Sequence, residues 1–316
     1  MNMKIVAVEP IGMSPELAQR LAAEMQAAGH SFVFYPDRRE DADSLRARMA
    51  DADIAIISNI PLPEAVLSAC PKLKYIALAF TGKDHIDETY CKAHGIRIQN
   101  AAGYATRAVA ELAVGLMLDV LRRVTALDAD TRQGGTRAQF LGRELYGKTV
   151  GIVGTGAIGT YTARLLQAFG CNLIAYNRSE HAEIRAMGIP YLPLDRLMAE
   201  ADIVSVHLPL TPETCHLLSR ERLALCKPSA ILVNTARGNV VDQQALAEAL
   251  REGRIAGAGL DVYEKEPPLP ADHPLLHAPN VVLVPHVGYA TREAFDSRIG
   301  IVWDGIRAYL KEAANA

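Results

Sequence analysis

The feature that most narrows what this chain can fold into is a glycine run set between two different hydrophobic periods. Gly154-Thr155-Gly156-Ala157-Ile158-Gly159 follows the apolar run TVGIV and opens the amphipathic stretch AIGTYTARLLQAFG. A G-x-G-x-x-G between a strand and a helix is a turn with three separate demands for glycine: a tight bend, close approach of backbone to a pyrophosphate, and helix packing on strand. Gly154, Gly156 and Gly159, with Ala157 and Ile158 at the start of the helix, are therefore expected to hold the phosphates of a dinucleotide on backbone N–H groups. A second match must be set aside. Residues 142–149 read GRELYGKT and satisfy G-x-x-x-x-G-K-T, but that phosphate loop requires a strand before it and a helix after it. Here Lys148 and Thr149 lead into a strand.

The same strand-then-helix unit recurs along the whole chain, which predicts an α/β fold built on parallel sheets. Apolar runs at 3–8, 32–35, 53–57 and 75–79 predict one open sheet, with an amphipathic helix over 15–28 capped by Ser14. A long apolar helix is expected over 105–124, ending in Arg122 and Arg123, which suit a helix C-terminus. A turn-rich loop follows over 131–149. The second series, 149–153, 172–176, 203–207, 230–234, 256–260 and 281–284, is almost continuously apolar, as strands covered on both faces are. An amphipathic helix over 291–314 closes the chain. At 316 residues there is room for two hydrophobic cores. The expected architecture is two open parallel-sheet domains, the second a Rossmann dinucleotide-binding domain.

Charge excludes one class of partner. Lys plus Arg number 33 against 36 Asp plus Glu, a net charge of −3, without the basic excess that nucleic-acid backbones or anionic membranes select. The five cysteines are scattered and never spaced C-x-x-C, so neither a disulfide framework nor a zinc site is expected. His273 and His277 lack a third ligand at metal spacing, so no metal is expected. No run approaches the about 18 apolar residues of a membrane span. The N-terminal apolar run is too short for a signal sequence. A cytoplasmic location is the expectation.

The residue just past the second strand of a dinucleotide domain separates NAD from NADP, because a carboxylate there bonds the ribose 2′-hydroxyl and repels a 2′-phosphate. Asn177-Arg178-Ser179 stands at that place, offering an amide, a guanidinium fork and a hydroxyl. NADP is expected over NAD, and the nearby Glu180 leaves NAD open. Three further residues follow strand runs of the second series: Arg237, Glu266 and His286. A planar cation suits a substrate carboxylate, an imidazolium suits a carbonyl oxygen that must be protonated, and a glutamate on the far ring nitrogen would orient that imidazole.

With their spacing, GRELYGKTVGIVGTGAIG, VHLPLTPET, LVNTARGNVVD, GAGLDVYEKEP and VPHVGYAT resemble the D-isomer-specific 2-hydroxyacid dehydrogenase family over nearly the whole chain. The resemblance implies that Arg237 binds the substrate carboxylate and carbonyl oxygen, that His286 is the acid/base, and that Glu266 pairs with it. It also implies a cofactor contact from Asp261 to the nicotinamide carboxamide and one from Thr106 near a phosphate. Further contacts would come from His207, Pro209, Thr214, Thr235, Ala236 and Gly288. Backbone N–H groups of Phe80, Thr81, Gly82 and Lys83 would hold the substrate carboxylate. A flavodoxin-like substrate domain over 1–100, completed by 289–316, and a dinucleotide domain over 101–288 are implied, as is a homodimer through the long helix. The alternative for that helix is a connector within one chain. The chain departs from the family's form at two places: AFTGKDHID replaces a glycine-rich V-G-x-D-N-x-D form, and Tyr289 stands where a small residue is common. Glu266 argues against the formate dehydrogenase branch, which usually carries glutamine. Reduction of a glyoxylate- or hydroxypyruvate-like 2-oxo acid is expected. The alternatives are oxidation of a phosphorylated or larger 2-hydroxy acid and a dinucleotide-sensing scaffold.

Overall fold

Apolar side chains repeated on both faces of a strand can be dried only by helices on both sides, and the chain does this twice. A computed structural model describes residues 2–315, which divide into two units, 2–105 with 290–315, and Thr106–Tyr289. The first unit runs β1 (Lys4–Ala7), α1 (Pro15–Ala27), β2 (Ser31–Phe34), α2 (Ala42–Met49), β3 (Ile54–Ile57), α3 (Glu64–Leu67), β4 (Tyr75–Leu78), α4 (Glu88–Ala93) and β5 (Arg97–Asn100). Its sheet is parallel throughout, in the order β2-β1-β3-β4-β5. Ser14 caps α1, its hydroxyl accepting from the Leu17 amide at 3.2 Å.

The second unit runs α5 (Thr106–Arg122), α6 (Val124–Arg132), β6 (Thr149–Val153), α7 (Ala157–Ala168), β7 (Asn172–Tyr176), α8 (Ala182–Ala186), α9 (Leu194–Glu200), β8 (Ile203–Val206), α10 (Arg220–Leu223), β9 (Ile231–Asn234), α11 (Gln243–Arg251), β10 (Gly257–Leu260) and β11 (Val281–Leu283). The sheet order is β11-β10-β9-β8-β6-β7, again all parallel. Alternate residues of β6 serve opposite cores: Val150 and Ile152 pack with Leu166 and Val120, whereas Val153 packs with Leu197 and Val206. The strand order reverses between β6 and β8, which opens a crevice at their carboxyl ends.

The chain ends in α12 (Arg292–Asn315), which belongs to the first unit. Trp303 of α12 is buried, edge-on to Phe32 at 5.2 Å, and Tyr309 stacks on Tyr75 at 4.4 Å.

Two expectations are corrected. The helix expected over 105–124 stops at Arg122, because Arg123 takes a left-handed conformation (φ 52°). The carboxylate of Asp119 then receives the Thr125 amide at 2.9 Å and also the Thr125 hydroxyl, so α6 starts afresh at Val124, inside what was to be helix and loop. No glycine or proline announces this break. Strand β5, RIQN, was not expected at all: it is a sheet edge bonded only to β4, with alternate residues exposed, so its sequence lacks an apolar run.

Candidate active site

The glycine turn is held from below by residues distant in sequence. Gly154 has φ 100°, and its amide donates to Tyr176 O at 2.8 Å. A side chain at Gly159 would put a Cβ 2.0 Å from Gly154 O, so only hydrogen fits there. Thr160 donates its hydroxyl to Thr155 O at 2.9 Å, and Thr155 Oγ1 hydrogen-bonds Tyr191 Oη at 2.9 Å. No side chain caps α7 at Gly156, so the amides of its first turn, Ala157 and Ile158, keep the anion-binding character of an uncapped helix start.

At the end of β7 the side-chain amide of Asn177 donates to Ser179 O at 2.7 Å, and Arg178 is exposed. Glu180, the residue that left NAD open, is ion-paired with Arg185. Opposite, Thr214 donates to Pro209 O at 2.7 Å and accepts from the Thr211 amide at 2.7 Å, closing the loop after β8. The carboxyl of Glu213 lies below the ordinary glutamate range, chiefly through the Thr211 hydroxyl and its own backbone, with a smaller contribution from the nearby Arg178.

His207 follows β8 beneath the glycine turn, where its carbonyl would lie 2.7 Å from any Cβ on Gly154. Its Nε2 hydrogen-bonds the buried Ser205 hydroxyl at 2.8 Å, and its Nδ1 is buried without a partner among the described residues. Burial pushes the imidazole down to about 4, so it is neutral at pH 7. Thr235, after β9, also buries its hydroxyl without a partner among the described residues. Two orphaned polar atoms at neighbouring strand ends, beside a cradle that excludes side chains, fit a polar, phosphate-bearing ligand such as a dinucleotide.

The three titratable candidates follow three adjacent strands. Arg237 lies past β9, half-buried, its carbonyl accepting from the side-chain amide of Asn234 at 2.9 Å. Asn234 Oδ1 also receives the Ala236 amide at 3.0 Å, which shapes the NTARG turn. Past β10, Asp261 is 1% exposed and accepts the amides of Val287 at 2.6 Å and Gly288 at 2.9 Å. Past β11, His286 Nδ1 lies 3.2 Å from Glu266 Oε1. Arg237, Glu266 and His286 thus stand at the carboxyl ends of β9, β10 and β11, the edge where open α/β sheets take ligands.

The remaining expected residues have separate settings. Thr106 is the first residue of α5. Phe80, Thr81, Gly82 and Lys83 belong to the first unit, directly after β4: Phe80 O accepts from Ala101 N at 3.0 Å, and Thr81 O from Asn100 Nδ2 at 2.6 Å. Lys83 Nζ is 3.5 Å from Glu88. Sequence reading missed Thr155, Thr160, Tyr191 and Ser205. Only Ser205 carried a local signal, as a hydroxyl in the otherwise apolar run IVSV.

A cradle for pyrophosphate and an imidazole–carboxylate pair on one sheet edge are the equipment of a dinucleotide-dependent dehydrogenase. Comparison with known proteins agrees. Residues 114–288 match the family described as D-isomer specific 2-hydroxyacid dehydrogenase, NAD binding domain. A glyoxylate reductase of Korarchaeum cryptofilum is 41% identical over 273 residues, covering 84% of this chain and 81% of that protein. A D-3-phosphoglycerate dehydrogenase of Mycobacterium bovis is also 41% identical over 273 residues, but the chain spans only 51% of its length. Among solved structures, an acyclic imino acid reductase (Bsp5) in complex with NADPH and D-Arg is 30% identical, with a TM-score of 0.87 and 98% of each chain covered. This chain belongs to the D-isomer specific 2-hydroxyacid dehydrogenase family and is an enzyme of oxidoreduction.

The buried His207 predicts an acid weakness. An unfolded histidine takes up its proton near about pH 6.5 and the folded one only near about 4, so stability is retained above the first value and lost as pH falls through this window. Urea midpoints should therefore drop between pH 7 and pH 5, and His207→Gln should shrink that drop; an equal drop in the variant would assign the acid sensitivity elsewhere.

Proposed function

We propose that this enzyme reduces a small 2-oxo acid to the D-2-hydroxy acid, using NADPH in preference to NADH. The observation that carries the reading is the His286–Glu266 pair, 3.2 Å apart at the carboxyl edge of the sheet. The bound dinucleotide supplies the hydride that adds to C2. Arg237 binds the substrate carboxylate and carbonyl oxygen through its guanidinium fork. His286, as imidazolium, gives its proton to the carbonyl oxygen as the hydride arrives, leaving a hydroxyl on the product and a neutral ring on the enzyme. Glu266 holds that ring through Nδ1, which leaves Nε2 for the substrate. Phe80, Thr81 and Gly82, in the loop after β4 of the first unit, are the further substrate-binding candidates, through their backbone N–H groups. In the dinucleotide domain the cofactor would be held by Gly154, Gly156, Ala157, Ile158 and Gly159, by Asn177, Arg178 and Ser179, and by His207, Pro209, Thr214, Thr235 and Ala236, with Thr106 and Gly288 toward the nicotinamide side.

The second reading, oxidation of a phosphorylated 2-hydroxy acid, is favoured by the phosphoglycerate dehydrogenase relatives, but the chain spans about half of their length against 81% of the glyoxylate reductase. A turnover assay over a panel of 2-oxo and 2-hydroxy acids with both cofactors separates the two. Absence of turnover on every acid would favour a dinucleotide-sensing scaffold.

Support for NADPH comes from Arg178, exposed at the end of β7, and from Glu180, whose carboxylate is engaged by Arg185. The related imino acid reductase was solved with NADPH. Support for a homodimer comes from an apolar groove of about 530 Å³ beside the sheet-edge strand β11, lined by Val281, Val282, Leu283, Leu112 and Leu116, and from Val124, 57% exposed at the start of α6. No helix among the described residues is long and apolar enough to cross a membrane. All five cysteines are free, which supports a reducing, cytoplasmic setting.

Three outcomes are expected. His286→Ala should lower 2-oxo acid reduction by about 10²–10⁴-fold with little change in cofactor affinity. Near-normal reduction by the variant would remove His286 from the chemistry. NADPH should bind about 1–3 kcal/mol more tightly than NADH, and Arg178→Ala should abolish the difference. Equal affinities in the unmodified enzyme would count against that loop reading a phosphate. Light scattering at rising concentration should give twice the monomer mass, and a constant monomer mass would end the dimer proposal.

A further inference from the structure

His286 is not held only by Glu266. Its backbone is left-handed (φ 53°), a conformation uncommon for residues with a Cβ though more open to histidine than to most, and here it is fixed on both sides. The segment before it is fixed: Val284 N donates to Leu260 O at 2.9 Å, and Val284 O accepts from Tyr263 Oη at 3.0 Å and from His286 N at 3.1 Å. The segment after it is fixed by one side chain. The two carboxylate oxygens of Asp261 each take a successive amide, Oδ1 from Val287 and Oδ2 from Gly288. Asp261 is itself anchored, its amide donating to Asn234 O at 3.0 Å. The fit is close: a Cβ on Gly288 would come within 2.8 Å of Asp261 Oδ2.

We propose that Asp261 is a positioning residue for the acid/base histidine: by clamping the amides of Val287 and Gly288 it holds His286 in the left-handed conformation that presents the imidazole to Glu266. The resemblance assigns this aspartate to the nicotinamide carboxamide, whereas here both its oxygens are engaged by the backbone beside the histidine. The proposal rests on the reading of His286 as acid/base. The ionisable groups around the carboxylate are His286, Glu266 and Tyr263. Burial raises the Asp261 carboxyl above its ordinary range, and the two amides and the imidazole oppose this, so the clamp is also what favours the anion.

The test is Asp261→Asn, which keeps one acceptor oxygen but turns an NH₂ toward an amide N–H. At saturating NADPH and 2-oxo acid, kcat should fall by about 10- to 100-fold, as misplacement of a reacting group by about an ångström does. The NADPH Kd from fluorescence titration should be unchanged, and hydrogen exchange at the Val287 and Gly288 amides should quicken. Gly288→Ala keeps every charge and drives a methyl against the same carboxylate; it should reproduce the kcat loss, and it decides the matter if the asparagine variant does not fold. Wild-type kcat in the folded variant overturns the proposal, as does a weaker NADPH Kd with unchanged saturated kcat, which would make Asp261 a cofactor ligand. His286→Gln separates the two layers: if it retains turnover, the acid/base reading falls and the clamp with it. If it is inactive while Asp261→Asn turns over normally, only the clamp falls.

Discussion

Parallel pairing is the constraint on which the rest depends. A strand with neighbours running the same way and helices on both faces has no dry place for a polar side chain except at its ends. In the second unit every strand runs in one direction, so the polar groups collect along one edge: Thr155 after β6, His207 after β8, Thr235 and Arg237 after β9, Asp261 after β10, and His286 after β11. No single segment contributes a site; the sheet assembles it from residues more than a hundred positions apart. Ser205 tests the rule from inside β8, and it is tolerated there because its hydroxyl bonds the His207 ring.

Polar groups at this edge fall into two kinds. Some are satisfied internally, as Asn234 is by Ala236 and Arg237, and these fix the backbone of the turns. Others, His207 Nδ1 and Thr235 Oγ1, are buried without an acceptor or donor among the described residues. Buried polar atoms of the second kind cost stability in the absence of a ligand. Their position beside the glycine turn suggests why such a cost is tolerated: the atoms are in place before the dinucleotide arrives.

What could be read in the sequence was whatever had a local signature. The glycine turn, the apolar strands and the Ser14 cap each occupy a short window and were legible. Strand β5 was hidden because an edge strand with a wet face, RIQN, need not be apolar. The break at Arg123 was hidden because the Asp119 carboxylate that caps the new helix at Thr125 comes from the preceding helix. Tyr191 beneath Thr155, and Asp261 across from Val287 and Gly288, depend on contacts 36 and 26 residues apart that no window contains. His286, Glu266 and Arg237 were nameable as types at strand ends, and the pairing of Glu266 with His286 was expected; the left-handed backbone of the histidine was not.

The return of α12 to the first unit has a consequence for biosynthesis. β1 to β5 leave the ribosome first, yet Phe32 and Tyr75 meet Trp303 and Tyr309 only in the last part of the chain, and the Ile11 and Ala79 carbonyls receive the buried Arg298 from the same helix. The second unit, contiguous in sequence, has all its strands before α12 appears. Domains usually finish in the order in which they are made. Here the later-made unit has every strand in place while the earlier one still lacks α12, so Phe32 and Tyr75 go without their aromatic partners until that last helix has been made.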